Sequence, residues 1–193
     1  MAEVLLPALP VMQDRVTVGA LTLALLPEQE IVSVRPFKGH FEAVTDTVRK
    51  ALGVMLSDSF QEETGSGGYA AFRAGHNQWF CRGPEGGNLT ARLATLCDGR
   101  ASVTNQTDSR VRLLLSGGGA AAIAAKLVPV DLHPSGFETG RVALTLAGHI
   151  PVVLICREPR LHYEFMVFRS LAQSLFDDIH IAMNGGIPNS ERV

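Results

Sequence analysis

Residues 30–52 read EIVSVRPFKGHFEAVTDTVRKAL, and a change of period inside this stretch decides the fold. Residues 30–35 alternate as a strand does, with Ile31, Val32 and Val34 apolar, and Pro36 ends the run. Residues 39–52 then switch to helical spacing. Phe41, Val44, Val48, Ala51 and Leu52 share one face, while Glu42, Asp46, Arg49 and Lys50 turn outward. Working toward the C-terminus, residues 69–73 and 78–82 read as two short strands across the turn Gly75-His76-Asn77. Residues 88–96 read as a second helix with Leu89, Leu93 and Leu96 facing the core, and residues 101–105 as a strand. The order β-α-β-β-α-β is that of the ferredoxin-like, split βαβ arrangement.

The remainder repeats this flavour. Residues 111–115 form a strand, followed by a glycine turn and a short helix to Lys126. Residues 141–146 and 150–156 surround Gly148-His149 as a hairpin, residues 162–168 form the last strand, and Ser170 is expected to cap a final helix. In that helix Leu171, Leu175, Phe176, Ile179 and Met183 form the buried stripe. On the other side of the opening stretch, residues 4–26 are rich in Leu and Val, but Pro7, Pro10, Asp14 and Arg15 argue against a membrane span. No positive cluster precedes them as a secretory signal requires. The expectation is an α+β chain with an N-terminal arm and first strand (strand 18–25) in residues 1–29. A domain of two halves, about 30–106 and 107–184, follows, then a polar tail, 185–193. Residues 57–68, polar and glycine-rich, are expected to be a mobile loop.

Composition narrows the function classes. The 193 residues are 46% hydrophobic and 19% charged, as in ordinary folding chains, and the formal net charge of −2 speaks against a phosphate-tracking surface for nucleic acid. Mean hydropathy is slightly positive, which leaves room for apolar surface covered by a partner. Cys81, Cys97 and Cys156 are widely spaced and odd in number, the pattern of buried thiols in a cytoplasmic protein.

The sharpest chemical pattern is Gly117-Gly118-Gly119-Ala120-Ala121-Ala122, a literal G-x-G-x-x-A after a strand. Its context argues for a structural turn. The helix that follows has room for about two turns, less than a parallel crossover needs. The first acid beyond it, Asp131, comes too early for a ribose contact. Histidines 40, 76, 133, 149, 162 and 180 show no metal-ligand spacing. The adjacent acids Glu62-Glu63 and Asp177-Asp178 read as pairs that point apart or lie in solvent. Arg169, beside a helix start where the dipole does not favour a cation, is expected to pair with an acid within the fold or across an interface. No catalytic, cofactor-binding or metal-binding residue is assigned.

A resemblance adds what these patterns leave open. Cys97-Asp98-Gly99-Arg100 precedes a strand, then come residues 111–120, VRLLLSGGGA, and residues 130–134, VDLHP. Phe137, Gly140 and Thr145-Leu146 lead into the hairpin, and residues 163–172, YEFMVFRSLA, close the series. Residues 35–39, RPFKG, join it upstream. In order and spacing these segments resemble the gamma-subunit family of heterotetrameric sarcosine oxidase, where the strand-to-helix junction recurs as a valine, one residue, then Arg-Ser. Gly118 departs from the proline of many members, and residues 57–68 match no part of the pattern. The resemblance implies a fold similar to the folate-binding domain of the glycine-cleavage T-protein. It also implies a non-catalytic, structural role beside alpha, beta and delta subunits. In such complexes FAD, FMN, NAD and tetrahydrofolate sit on the alpha and beta chains and zinc on delta. Together they demethylate sarcosine to glycine, release hydrogen peroxide and pass the one-carbon unit to tetrahydrofolate. The same features leave room for a gamma-like subunit of an N-methylglutamate dehydrogenase, a free folate-binding one-carbon protein using Asp131, or an assembly protein outside amine oxidation.

Overall fold

The computed structural model describes residues 14–84 and 86–185, so most of the arm, residues 1–13, and all but Gly185 of the tail lie outside the described residues. The first part of the chain runs β1 (Arg15–Val18), β2 (Leu21–Leu25), β3 (Glu30–Pro36), α1 (Phe41–Leu52), β4 (Glu63–Thr64), β5 (Ala70–Gly75), β6 (Gln78–Gly83), α2 (Leu89–Leu96) and β7 (Ala101–Asn105). It continues with β8 (Arg110–Gly117), α3 (Ala120–Leu127), β9 (Val142–Ala147), β10 (Ile150–Glu158), β11 (His162–Phe168) and α4 (Ala172–Asn184).

The ferredoxin-like order read from residues 30–105 is realised. The smaller sheet is ordered β4-β5-β6-β3-β7, with antiparallel pairings throughout. Helix α1 buries Val44, Val48 and Leu52 on that sheet, with Phe41 and Ala51 at its margin. Its charges follow the helix dipole, with Glu42 in the first turn and Arg49 and Lys50 in the last. Gly53 ends it in the left-handed conformation, φ 72°. Helix α2 departs from expectation at one residue: Leu89 and Leu93 are buried, but Leu96 is exposed at the helix end.

The larger sheet is ordered β1-β2-β8-β11-β10-β9 and is antiparallel as well. Its central part repeats the first half with one substitution. The place of the fourth ferredoxin strand beside β8 is taken by β2, from the start of the chain, and β1 and β9 extend the two edges. The single first strand expected over 18–25 is therefore a hairpin, Arg15–Val18 against Leu21–Leu25, turning at Gly19, φ 58°. The final helix starts differently too. A short 3-10 turn, Arg169–Leu171, leads into α4, and no side chain caps it, so Ser170 is not the cap. The stripe of α4 itself is as read, with Leu175, Phe176, Ile179 and Met183 buried and Leu171 partly so.

The two sheets face each other and the helices lie outside, giving layers in the order α, β, β, α. Strict alternation along each strand makes this work. In β11, Tyr163, Phe165 and Val167 pack under α3 and α4, while Met166 faces the other sheet. In β10, Val152, Leu154 and Cys156 take the helix side, and Val153 and Ile155 the sheet side. Ile31, Phe72 and Phe80 of the smaller sheet meet Val142, Val153, Ile155 and Met166 of the larger in a third apolar core, the seam between the halves. Strands buried on both faces explain why residues 150–156 and 163–167 read as nearly unbroken apolar runs.

Residues 57–68 are tied down rather than loose. Trp79 Nε1 donates to the Ser57 carbonyl at 2.7 Å, Val142 N to Phe60 O at 2.8 Å, and Glu62 N to Gly140 O at 2.8 Å. Gln61 bridges Arg141 in antiparallel fashion. The segment thus laces the first half onto the second.

Candidate functional site

At one end the seam changes from apolar to ionic. Arg82 on β6 and Glu164 on β11 continue the inward-facing positions of their strands, Arg157 does so on β10 and Arg112 on β8, and Glu62 enters from the lacing segment. Arg82 Nη1 donates to Glu164 Oε1 at 2.9 Å, and Arg82 Nη2 donates to Glu62. Arg157 Nε donates to Glu164 Oε2 at 2.8 Å, while its other nitrogens reach Glu62. Arg112 Nη1 approaches Glu164 Oε1 at 3.4 Å, and its Nη2 donates to the Pro27 carbonyl at 2.6 Å. Arg82, Glu62 and Glu164 are buried, so the charges are satisfied by one another rather than by water.

The electrostatics follow from this packing. Burial pushes the Glu164 carboxyl upward, but the guanidiniums of Arg82, Arg157 and Arg112 outweigh it and hold the group below its ordinary 4.5. Burial works against the charge of Arg112 as well; it outweighs the nearby Glu164 and leaves that guanidinium below its usual range. Arg157 ends above it, because Glu164 and Glu62 overcome the same burial. Such a cluster locks two halves in one relative placement, and it holds both of its carboxylates in ion pairs.

The residues singled out in the sequence are brought to other places. The glycine turn has no dinucleotide geometry, since β8 has only antiparallel neighbours. Gly117 is required by packing instead: its φ is +112°, and a Cβ there would stand 2.0 Å from the Ala20 carbonyl oxygen of the β1–β2 hairpin. Asp131 is exposed and accepts the His133 backbone N–H at 2.9 Å, a local turn. Arg169 pairs within the fold, with Glu28 at 3.1 Å and with the Asp108 carbonyl at 2.6 Å. His133 contacts Ser135 and His162 contacts Glu158, and no group of His, Cys, Asp and Glu among the described residues is arranged to hold a metal. Cys81, Cys97 and Cys156 are buried and unpaired.

Glu62 is the correction of most consequence. Read as one of two adjacent acids pointing apart or into solvent, it is instead among the most deeply buried charges of the chain, while Glu63 stays at the margin. A second acid was not singled out at all. Glu30, on β3, accepts from Leu89 N and Thr90 N at 2.8 Å each, and so caps α2 from a distant strand. Partial burial raises its pKa, but these bonds with the Thr90 hydroxyl bring it below the ordinary value.

No family model matches the sequence, and no curated protein does. Solved structures do match the fold. The chain superposes on heterotetrameric sarcosine oxidase from Corynebacterium sp. U-96, in complex with pyrrole 2-carboxylate, with a TM-score of 0.77. The match covers 91% of this chain and 88% of that one at 23% identity. Glycine cleavage system aminomethyltransferase T from Bartonella henselae matches with a TM-score of 0.54 at 14% identity, over 83% of this chain but 45% of that one. No helix among the described residues is long and apolar enough to cross a membrane. The α+β fold of two facing ferredoxin-like halves is therefore one this chain shares with a chain of heterotetrameric sarcosine oxidase and with part of the T-protein.

Proposed function

We propose that this chain is a non-catalytic, structural subunit of a sarcosine oxidase-type complex, in the position of the gamma subunit. The observation that carries the reading is the end-to-end likeness to a chain of a multisubunit oxidase, 91% of one and 88% of the other. The motif series from Val111 to Ala172 points the same way. The ionic cluster supports the non-catalytic part, because Glu62 and Glu164 are committed to arginines across the seam.

A partner surface is supported by the larger sheet's edge. Val142, Leu144 and Leu146 share one face of β9. Val142 is buried in the seam, but Leu144 and Leu146 are 39% and 46% exposed. The seam core thus runs out into open apolar surface, as it does where one chain is built to continue into another. In this reading alpha, beta and delta subunits carry FAD, FMN, NAD, tetrahydrofolate and zinc, the reaction demethylates sarcosine, and the assembly is cytoplasmic.

The test is co-expression with the chain's genomic neighbours, followed by size-exclusion with light scattering and mass spectrometry of the bound partners. The expected outcome is one large species containing an FAD-bearing chain, with self-association when the chain is made alone. A monodisperse monomer that ignores its neighbours sinks the assignment. Recovery with an N-methylglutamate dehydrogenase instead moves the chain to that related complex.

A further inference from the structure

The larger sheet extends past the seam at the end away from the ionic cluster. Leu146 faces Pro151, Phe168 faces Arg110, and the pairing of Val152 with Val167 sets Pro151 beside Phe168. These four residues form one row across β9, β10, β11 and β8, about 14 Å long. Strand alternation puts the row on the same side as Val153 and Met166, one step beyond the buried seam. There the sheet is open: Leu146 and Phe168 are 46% and 40% exposed, and Pro151 is exposed too. The row ends in a cation without a counter-ion. The guanidinium carbon of Arg110 lies 3.6 Å from the ring centre of Phe168 and 5.3 Å from that of Phe80 in the smaller sheet. Among the described residues its side chain forms no ion pair and no hydrogen bond. Nε is buried, whereas Nη1 and Nη2 are not, so they are the edge that another molecule can reach. Burial holds the Arg110 pKa below its ordinary range, and no carboxylate works against that. The two ring faces offset part of the cost of holding a cation there.

We propose that this row docks a different protein chain, which lays an apolar segment over Leu146, Pro151 and Phe168 and sets an Asp or Glu side chain on Arg110. An arginine stacked on an aromatic ring within open apolar surface has the composition of an interface anchor. Charge selects the occupant. A purely apolar segment buries Arg110 without compensation, and a basic one repels it. A carboxylate pairs with the free Nη edge, and the apolar surroundings strengthen that pair by excluding water. A second copy of this chain, laid row on row, brings apolar residues and a cation but no acid. The inference rests on the subunit reading and deepens it, by giving the chemistry of what covers the sheet beyond its β9 edge.

The test uses the complex recovered by co-expression with the genomic neighbours. Arg110→Lys keeps the charge and supplies an amine, and a carbodiimide joins an amine to a carboxylate in contact with it. Peptide mapping of the treated complex is expected to find position 110 joined to an Asp or Glu of the partner, within an apolar stretch. The wild-type complex, without that amine, is the control. In parallel, Arg110→Glu is expected to lower the partner recovered at least tenfold, and Leu146→Glu, on the exposed surface, to lower it as well. Melting curves of the variants check that each folds. Position 110 joined to an acid of its own chain or of a second copy overturns the proposal, as does the absence of any link there. Undiminished assembly of a folded Arg110→Glu chain overturns it too. In each of these cases the partner is still recovered and the subunit reading stands. If the wild-type chain recovers no partner, both fall together.

Discussion

Arg82 Nη1 donates to Glu164 Oε1 at 2.9 Å, across the seam and between residues 82 positions apart in the chain. This bond lies at the centre of a cluster that joins both sheets, and removing one partner leaves a buried charge without its counter-ion. Glu164→Ala is expected to lower the unfolding free energy by about 3–5 kcal/mol, as broken buried pairs do. Urea denaturation of the assembled or isolated chain measures it. A loss of less than about 1 kcal/mol means the arginines find water, and the seam is wetter than its packing indicates.

Acid should act through the same groups. The folded-state pKa of Glu164 lies below its ordinary 4.5. Its contribution is therefore complete above about the unfolded value and is lost as pH falls through the lower folded one. Thermal stability should hold through pH 5 and 6 and decline below pH 4.5, with a shallower decline in Glu164→Gln. An unchanged acid slope in that variant assigns the titration to other carboxylates, and Glu30, held low by its bonds to α2, is the next to substitute.

The glycine turn is a packing device. Gly117→Ala places a Cβ against the Ala20 carbonyl at a φ of +112°. The expected cost is more than about 1–3 kcal/mol, since strain at the dihedral adds to the clash. Titrating NAD or ATP into the wild-type chain should give no heat. Micromolar binding that Gly117→Asp abolishes would falsify the structural reading of the turn.

The thiols should be silent in the native protein. Burial, with Cys97 nearby, raises Cys81 to about 12. Burial also lifts Cys156 to about 11, against the opposing pull of Arg157. The thiolate is the reactive form. A disulfide reagent at pH 8 should label none of the three until denaturant unfolds the chain, when all three react together. Fast labelling of one cysteine in the folded protein contradicts its burial.

Asp131→Asn should leave the turnover of the assembled complex within about a factor of two, far from the tenfold that 1.4 kcal/mol of barrier represents. Its carboxylate holds a local turn through His133 N–H. A hundredfold loss with intact assembly brings back the enzyme reading.

How much of this was legible beforehand follows from the range of each interaction. Period and punctuation are local, so the chain by itself determined α1, the β5–β6 and β9–β10 hairpins, the stripe of α4 and the β-α-β-β-α-β order of the first half. It determined as well that the glycine turn lacks the helix length and acid spacing of a nucleotide site. Tertiary structure decided what the ends of the chain and the loops do. Only folding brings Leu21–Leu25 beside β8, because a strand carries no mark of which distant strand it will pair with. Only the stacking of the sheets makes Glu62, from a polar and glycine-rich segment, a buried partner of Arg82 and Arg157. An acid's spacing along the chain says nothing of the cation that will meet it, and charge pairing between two sheets depends on register and packing, which exist only once both halves are in place.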